Sequence, residues 1–460
     1  MPEAAVSYRA DQLSWLASHA HGLATSSDLP SLLARSRRSA SAPQAASLRV
    51  IERGLRRQSQ LPAPLIARES REVSLAKEAW QRARRKSRFS LFAPHLKALL
   101  QIAREKAECW GYSNEPYDAL LVGYEPGMSC EALDRCLGAL RPELVAIAAE
   151  ATQRSRAWPI ALPPGPYPLE LQRQLNGEIA ASLGFDFTAG RIDTTAHPFC
   201  TTLGPRDVRL TTRYDLEDFT SSLFGVLHET GHGLYEQGLS ESEFGLPAGS
   251  ACSLGIHESQ SRLWENHVGR SQPFWEKWWP RAVSLFPQLR RMGLKNFMRW
   301  LHRAEFSLIR VESDEATYDL HILLRVELER SMLRGEVEVA DIPRAWNRLS
   351  QALIGLKPAT AAEGCLQDIH WSMGGLGYFA TYTLGNLNAA QLFEAAMRDP
   401  GVKRGFERAE YHSLLGWLRN RVHRHGALLD PADLIAKASS AALHPGPYLR
   451  HLRQRYTKAG

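Results

Sequence analysis

Apolar residues recur at helical spacing through roughly the first 155 residues, and this pattern predicts a series of amphipathic helices. Leu96, Leu99 and Leu100 show the spacing clearly, because positions three and four apart share one face of a helix. The proline-rich segment 158–170 cannot form a regular helix, since proline lacks the backbone N–H and clashes with the preceding turn. We expect one domain over residues 1–460, with an N-terminal helical part over about 1–157 and a second part over about 158–460.

The pattern changes between about residues 185 and 215, where threonine is frequent and apolar residues alternate with polar ones. This alternation predicts short strands. Helical spacing returns from about residue 217, with a long helix expected from Trp300 to near Leu333 and another beginning at Asp341. The glycine-rich segment 364–385 breaks the helical pattern, and we interpret it as a loop that contributes to a binding site.

The pentapeptide HETGH occupies residues 228–232 within an apolar stretch that follows the predicted strands. In a helix, positions i and i+4 share a face, so His228 and His232 can direct both imidazoles at one metal ion. Glu229 lies beside them, where its carboxylate could take a proton from water at an open metal position. The pattern HExxH also occurs on ordinary helices, so the motif alone leaves a purely structural helix possible.

Three glycines, Gly225, Gly231 and Gly233, lie in or next to this motif. Glycine in a helix interior costs about 0.5–1 kcal/mol relative to alanine. A helix with only a packing role would rarely use it so often. We therefore expect another backbone, or a substrate, to come close to this helix.

Glu258 is the predicted third metal ligand. It lies in a second helical run, among Ile256, Leu263 and Trp264. A catalytic zinc site has three protein ligands and an open position, and two histidines with one glutamate form a known set. The alternative is a solvated helix glutamate, which is the more common environment of this residue type.

Taken together, HETGH and the segment HESQS at 257–261 resemble the M32 metallocarboxypeptidases, the carboxypeptidase Taq group. Further segments of that family's pattern follow in order, so the resemblance covers nearly the whole chain: HPF at 197–199, DVRLT at 207–211, IRVESD at 309–314 and GCLQDIHW at 364–371. Two positions depart from the pattern. Ser313 stands where the family has alanine and Ala380 where it has proline, and neither is a predicted metal ligand.

The resemblance implies a mainly α, large helical fold with a deep active-site cleft and a small β-sheet beside it, an HExxH gluzincin of neurolysin-like type. It also implies a zinc-dependent carboxypeptidase of broad specificity that acts as a homodimer and in which cobalt can replace zinc. The expected reaction is hydrolysis of the C-terminal peptide bond of short peptides. His228, His232 and Glu258 would bind the metal, and Glu229 would act as general base and acid.

A carboxypeptidase must bind the free α-carboxylate of its substrate, and the planar fork of an arginine suits that task. Arg310, in IRVESD, is the first candidate for this role. Its alternative role is a structural ion pair with Glu312, Asp314 or a neighbouring helix. Arg209 and Arg325 are further candidates.

A donor near the metal is expected to stabilise the developing oxyanion, and the glycine-rich segment offers Tyr382 and His370 for this role. Tyr378 and His197 are predicted to contact substrate. Metal-bound histidines usually donate their second ring nitrogen to an acceptor, for which we expect one or more of three acidic residues, Asp207, Asp314 and Asp368.

The chain has 460 residues and a formal net charge of +7, with a pI near 9.1. Its arginines alternate with helix formers and acidic residues, as on a solvated helix face, so we expect no nucleic-acid partner. The six cysteines form no CxxC pair and indicate neither a disulfide framework nor a cysteine metal site. No secretory signal or membrane span is apparent, so we expect a cytoplasmic enzyme that does not associate with membranes.

Two other functions stay open at this point. One is a zinc oligopeptidase of endo or dipeptidyl type on a similar helical fold. The other is a non-enzymatic, basic helical protein that binds nucleic acid and in which HETGH is fortuitous.

Overall fold

The computed structural model describes residues 3–458, and most of them lie in helices. Successive helices fill the chain before the proline-rich segment, as the apolar pattern predicted. They are α1 Val6–Ala24, α2 Leu29–Arg37, α3 Ala42–Ser59, α4 Ala63–Arg85, α5 Ala93–Trp110, α6 Pro116–Leu121 and α7 Cys130–Ala157.

The proline-rich segment forms no regular helix between the end of α7 and the start of α8, Leu169–Leu183. Three short strands follow, which confirms the predicted change of pattern: β1 Gly190–Thr194, β2 Cys200–Gly204 and β3 Asp207–Thr212. The sheet has the order β1-β3-β2, with β1 parallel and β2 antiparallel to β3. Val208, Leu210 and Thr212 are buried on one face of β3.

Helices return after the sheet and continue towards the end of the described chain. They are α9 Phe219–Glu236, α10 Leu254–Arg262, α11 Gln272–Leu285, α12 Gly293–Leu301, α13 Tyr318–Arg334, α14 Ile342–Leu353, α15 Ala380–Ala396, α16 Pro400–Glu407, α17 His412–Arg421, α18 Pro431–Ser439 and α19 Gly446–Leu452. Two π-helical segments extend α10 and α19, namely Leu263–Val268 and Arg453–Lys458.

The prediction of one long helix from Trp300 to Leu333 is wrong, because α12 ends at Leu301 and α13 begins only at Tyr318. The Asp314 side chain explains part of the break. Its carboxylate accepts hydrogen bonds from the backbone N–H groups of Glu305 and Thr317, at 2.8 and 3.1 Å. Such side-chain bonds compete with the helical pattern of backbone bonds.

The structure agrees more closely with the two other predictions for this region. Helix α14 begins directly after Asp341, as expected. The glycine-rich segment is irregular apart from a short 3₁₀ turn at His370–Met373, but it becomes helical from Ala380, earlier than predicted.

The described chain forms two compact units. Unit 1 contains residues 3–145 and 305–380, and unit 2 contains residues 146–304 and 381–458. HETGH and Glu258 both lie in unit 2. The single domain over 1–460, divided near residue 157, stays a prediction.

Each unit buries its own apolar residues. In unit 1, Leu96, Leu99 and Leu100 are buried, as their spacing predicted. The core of unit 2 includes the fully buried rings of Trp264 and Trp275. The six cysteines are free. Within residues 3–458, none of the helices combines the length and apolar character that a bilayer span needs.

Helices α9 and α10 touch backbone to backbone at Gly231. A Cβ added there would lie 2.5 Å from the carbonyl oxygen of Gln260 and 2.6 Å from Cα of Ser261. On another side of α9, a Cβ on Gly233 would lie 2.9 Å from Cδ2 of Leu210 in β3. These contacts confirm that the glycines of the motif allow close approach to neighbouring elements.

Replacing Gly231 with alanine should therefore push α9 and α10 apart. We expect a destabilisation of about 1–3 kcal/mol, as for other overpacked interiors, measured as a lower midpoint of thermal unfolding. Gly177→Ala in α8 is the matched control, because a Cβ there meets no atom within 4 Å. That variant should be unchanged or stabilised by about 0.5–1 kcal/mol. Equal midpoints for the two variants would contradict the close contact.

Candidate metal centre

Helix α9 presents two histidines on one face. The Asp218 carboxylate starts the helix by accepting a hydrogen bond from the N–H of Thr220 at 2.8 Å. The helix then runs unbroken to Glu236, so His228 and His232 lie one turn apart with ring centroids separated by 4.9 Å. The motif therefore sits on a helix, as predicted.

Helix α10 brings Glu258 to these histidines. Its first turn is capped by Ser253, whose hydroxyl accepts from the N–H of Ile256 at 3.0 Å. Glu258 Oε2 lies 3.7 Å from His228 Nε2 and 3.5 Å from His232 Nε2.

This spacing fits one small divalent cation. The three residues each offer one ligand atom, and these atoms all lie within 4.8 Å of one another. Ligand atoms about 2.0–2.2 Å from a tetrahedral zinc ion lie roughly 3.4 Å apart. Two imidazole nitrogens and one carboxylate oxygen are also donors that suit such an ion. The structure thus brings together the three residues selected from the sequence.

The Glu258 carboxylate is held in place from its other side. Arg262 Nε donates to Oε1 at 2.7 Å, and the Ser261 hydroxyl donates to Oε2 at 3.1 Å. Burial alone would raise the pKa of Glu258, but Arg262 and the two histidines lower it well below its ordinary value. Glu258 is therefore ionised and has one oxygen turned towards the imidazoles.

Helix α15 packs directly on Glu258 at Gly385. A Cβ on Gly385 would lie 2.5 Å from Cγ and 2.7 Å from Cβ of Glu258. Tyr382 is three residues earlier, so it lies on the same side of α15. The predicted oxyanion donor Tyr382 is thus on the helix face that approaches a predicted ligand.

The second ring nitrogen of His228 is bound by Glu265. His228 Nδ1 lies 2.9 Å from Glu265 Oε2, and the carboxylate can only accept, so the nitrogen donates. Burial disfavours a charged His228, but the carboxylates of Glu258 and Glu265 outweigh it and raise its pKa to about 9. Glu265 lies in the π-helical extension of α10, a geometry that often occurs at functional sites.

His232 has a different partner for its second ring nitrogen. Its Nδ1 lies 2.6 Å from Nδ1 of His257, whose Nε2 lies 2.8 Å from Oε1 of Glu236. The Thr202 hydroxyl donates to the other oxygen of Glu236 at 2.7 Å. Burial and the neighbouring His257 lower the pKa of His232 to about 4.

The predicted acceptors for these nitrogens are wrong, because all three acidic residues bind other groups. The side chain of Asp207 pairs with Arg209, that of Asp314 accepts backbone N–H groups before α13, and that of Asp368 pairs with Arg310 and Arg325. Spacing within the helices could have indicated the carboxylates that support the two histidines, Glu265 directly and Glu236 through His257. Glu236 follows His232 by one turn of α9, and Glu265 follows Glu258 by two turns.

Glu229 is only 6% exposed. Burial raises its pKa to about 7, against the opposing effect of His228. A carboxyl group with this pKa exchanges a proton readily near neutral pH, which suits a general base and acid.

Three other predicted site residues lie together in unit 1. The guanidinium of Arg310 pairs with Asp368 at 2.8 Å and donates to the Tyr318 hydroxyl at 2.8 Å. Its ion-pair partner is thus Asp368, not one of the acidic residues suggested by sequence. The His370 ring lies 5.0 Å from that of Tyr378, and burial lowers the pKa of His370 to about 4.

Two predicted substrate-binding residues lie near the sheet of unit 2. Side chains alternate along β3, so Arg209 projects from the face opposite to the buried Leu210, which faces α9. Arg209 is half-exposed and pairs with Asp207 at 2.8 Å. His197 is exposed in the connection between β1 and β2.

The chain is similar to known proteins over nearly its whole length. The profile of the family described as Carboxypeptidase Taq (M32) metallopeptidase matches residues 1–456. Thermostable carboxypeptidase 1 of Thermus thermophilus is 40% identical over 425 residues, or 90% of this chain and 83% of that protein. Carboxypeptidase 1 of Bacillus subtilis is 39% identical over 386 residues, or 84% of this chain and 77% of that protein.

A solved structure shows the same fold. The M32 carboxypeptidase from Deinococcus radiodurans superposes with a TM-score of 0.91 at 37% identity, covering 100% of this chain and 93% of that chain. The prediction of a mainly helical fold with a small sheet is therefore confirmed.

Replacing Gly385 with alanine should displace Glu258 and weaken metal binding. We expect the zinc dissociation constant, measured by competition with a chromophoric chelator, to rise at least about tenfold. This is the lower end of the affinity usually lost when a group that supports a metal ligand is changed. Gly177→Ala again serves as control and should bind like the unmodified protein. Unchanged zinc affinity in Gly385→Ala, with the added methyl group accommodated, would show that Glu258 does not depend on this contact.

Proposed function

The chain belongs to the carboxypeptidase Taq (M32) metallopeptidase family, and on this premise we propose that it is a zinc-dependent metallocarboxypeptidase. It hydrolyses the C-terminal peptide bond of short peptides with broad specificity. One observation carries the proposal: a helix-borne pair of imidazoles and a carboxylate from a second helix converge within 4.8 Å. Family membership implies a divalent metal ion, and the donor set supports zinc, with cobalt as a substitute.

His228, His232 and Glu258 hold the ion in this proposal, and Glu229 carries the proton. When bound, the ion supplies Lewis acidity towards a peptide carbonyl and towards water. Glu229 then takes a proton from the attacking water and delivers it to the leaving amine. Its pKa of about 7 supports both steps, since the carboxyl group can give up the proton that it has just accepted.

Tyr382 is the proposed donor to the developing oxyanion. Its support is the packing of α15 on Glu258, which places this side chain on the face of the helix that approaches the ligand set. His370 is the second candidate, and Tyr378 and His197 are proposed to contact substrate.

Arg310 is proposed to bind the substrate's α-carboxylate. The support is its preorganisation: Asp368 and Tyr318 hold the guanidinium in one orientation within a buried site. A fixed fork loses little conformational entropy when it pairs with a carboxylate. Arg209 remains a rival candidate, and the homodimer and the cytoplasmic location remain predictions.

The Glu229→Gln variant tests the chemistry. We expect one metal ion per chain in both the unmodified protein and the variant, and a loss of kcat of about 10²- to 10⁴-fold only in the variant. Metal content is measured by elemental analysis, and cleavage by release of the terminal amino acid. Glu241→Gln, a change of an exposed acid, should retain full activity. Full activity in Glu229→Gln would remove the proposed base.

Replacing Arg310 with methionine tests carboxylate recognition. We expect kcat/KM to fall for peptides with a free C-terminus, because the charged pair between arginine and carboxylate is removed. The fall should correspond to a loss of about 2–5 kcal/mol of transition-state stabilisation. Matched amidated peptides should be poor substrates before and after the change. Arg209→Met is the control and should leave kcat/KM unchanged; the reverse result would transfer the role to Arg209. Equal cleavage of free and amidated peptides by the unmodified protein would instead favour an endopeptidase.

A further inference from the structure

We propose that His257 and Glu236 are positioning residues for the metal site, because together they set the tautomer and orientation of His232. The proposal rests on the ligand set given above. It concerns a chain of side chains, which we call the His232 relay: His232, His257, Glu236 and Thr202.

The relay is continuous. Three contacts of 2.6, 2.8 and 2.7 Å join the Nδ1 atoms of the two histidines, Nε2 of His257 to Glu236, and the Thr202 hydroxyl to the same carboxylate. The two histidine rings are 4.5 Å apart at their centroids. The side chains of His232, His257 and Glu236 are each about one fifth exposed or less. Water therefore competes little for these bonds.

The protons in this chain can be placed from one end. Glu236 is ionised, since the contacts with His257 and Thr202 outweigh burial and lower its pKa. A carboxylate only accepts, so Nε2 of His257 carries a proton. In the tautomer that this contact selects, Nδ1 of His257 is bare and accepts from Nδ1–H of His232. That leaves Nε2 of His232 bare, and this is the atom that faces Glu258.

The two metal histidines are thus supported differently. His228 donates directly to the carboxylate of Glu265, which is the usual arrangement of metal-bound histidines. At His232, a second imidazole stands between the ligand and its carboxylate. Glu236 therefore fixes the orientation of His232 indirectly, by holding the ring of His257.

Neighbouring elements explain why the relay is rigid. His257 directly precedes Glu258 on α10, so consecutive residues deliver the relay and the third ligand. Thr202 belongs to β2 and is paired with Val208 of β3, which ties Glu236 to the sheet. The His257 ring also lies against Tyr235, with centroids 5.3 Å apart. The small sheet beside α9 therefore has a structural role in the metal site.

The test is the zinc affinity of metal-free protein, measured by chelator competition. His257→Phe keeps a ring but removes both nitrogens, and we expect the dissociation constant to rise about 10- to 100-fold. Glu236→Gln keeps an oxygen that can accept from His257 and loses only the charge. Its zinc dissociation constant should therefore also rise, but by a smaller factor. This second variant tests the relay if His257→Phe does not fold.

His423→Phe is the matched control. His423 is another buried histidine against Tyr235, with ring centroids 5.1 Å apart, and it bonds to Gln260 outside the relay. It should lower the thermal midpoint of the metal-free protein without changing zinc affinity.

Two outcomes separate the relay from the proposed function. If the unmodified protein binds no zinc, the proposed metal site itself fails. If the unmodified protein binds zinc and both relay variants bind it as tightly as the unmodified protein does, the metal site stands and the relay is refuted. A loss of affinity in His423→Phe as large as that in His257→Phe would likewise overturn it, because general destabilisation would then explain the effect.

Discussion

The close packing of α9 on α10 is the constraint on which the metal centre depends. Gly231 lies between the two histidines of α9 and allows the backbone of α10 to approach to contact distance. Only at this separation can a glutamate side chain, which is short, reach both imidazole nitrogens from the neighbouring helix. The same glycine lies within HETGH. One pentapeptide therefore supplies two of the proposed ligands and also the space through which the third ligand reaches them.

Around this contact, the side chains are held by partners that differ in kind. Arg262 binds Glu258 and also approaches Glu265 at 3.4 Å, so one guanidinium steadies a ligand and the partner of another ligand. The sheet reaches the site through Thr202, whose hydroxyl donates to Glu236. The two histidines of α9 are therefore held by groups of α10 and its π-helical extension, and Glu258 is held by neighbours on its own helix.

The sequence predicted the local part of this arrangement and missed the part that depends on tertiary contacts. The spacing of His228 and His232 is fixed by helix geometry, and the apolar surroundings of Glu258 in a second helical run indicated the third ligand. The break after Leu301 was missed because helical spacing does not reveal that Asp314 binds backbone N–H groups. Asp207 and Asp368 were plausible partners of the histidines, but each forms an ion pair with an arginine instead.

The acidic and basic side chains at the site also differ in number. Four acidic side chains, those of Glu229, Glu236, Glu258 and Glu265, lie at the site, and the guanidiniums of Arg262 and Arg270 pair with two of them. The neighbouring carboxylates raise the pKa of His228 against the effect of burial, so its imidazole holds a proton more readily than it would in water. A divalent cation held by the three ligands would supply positive charge in place of this proton, because a histidine ligand must be neutral. Occupancy of the site is therefore coupled to proton release, and acid competes with the cation for the same nitrogen.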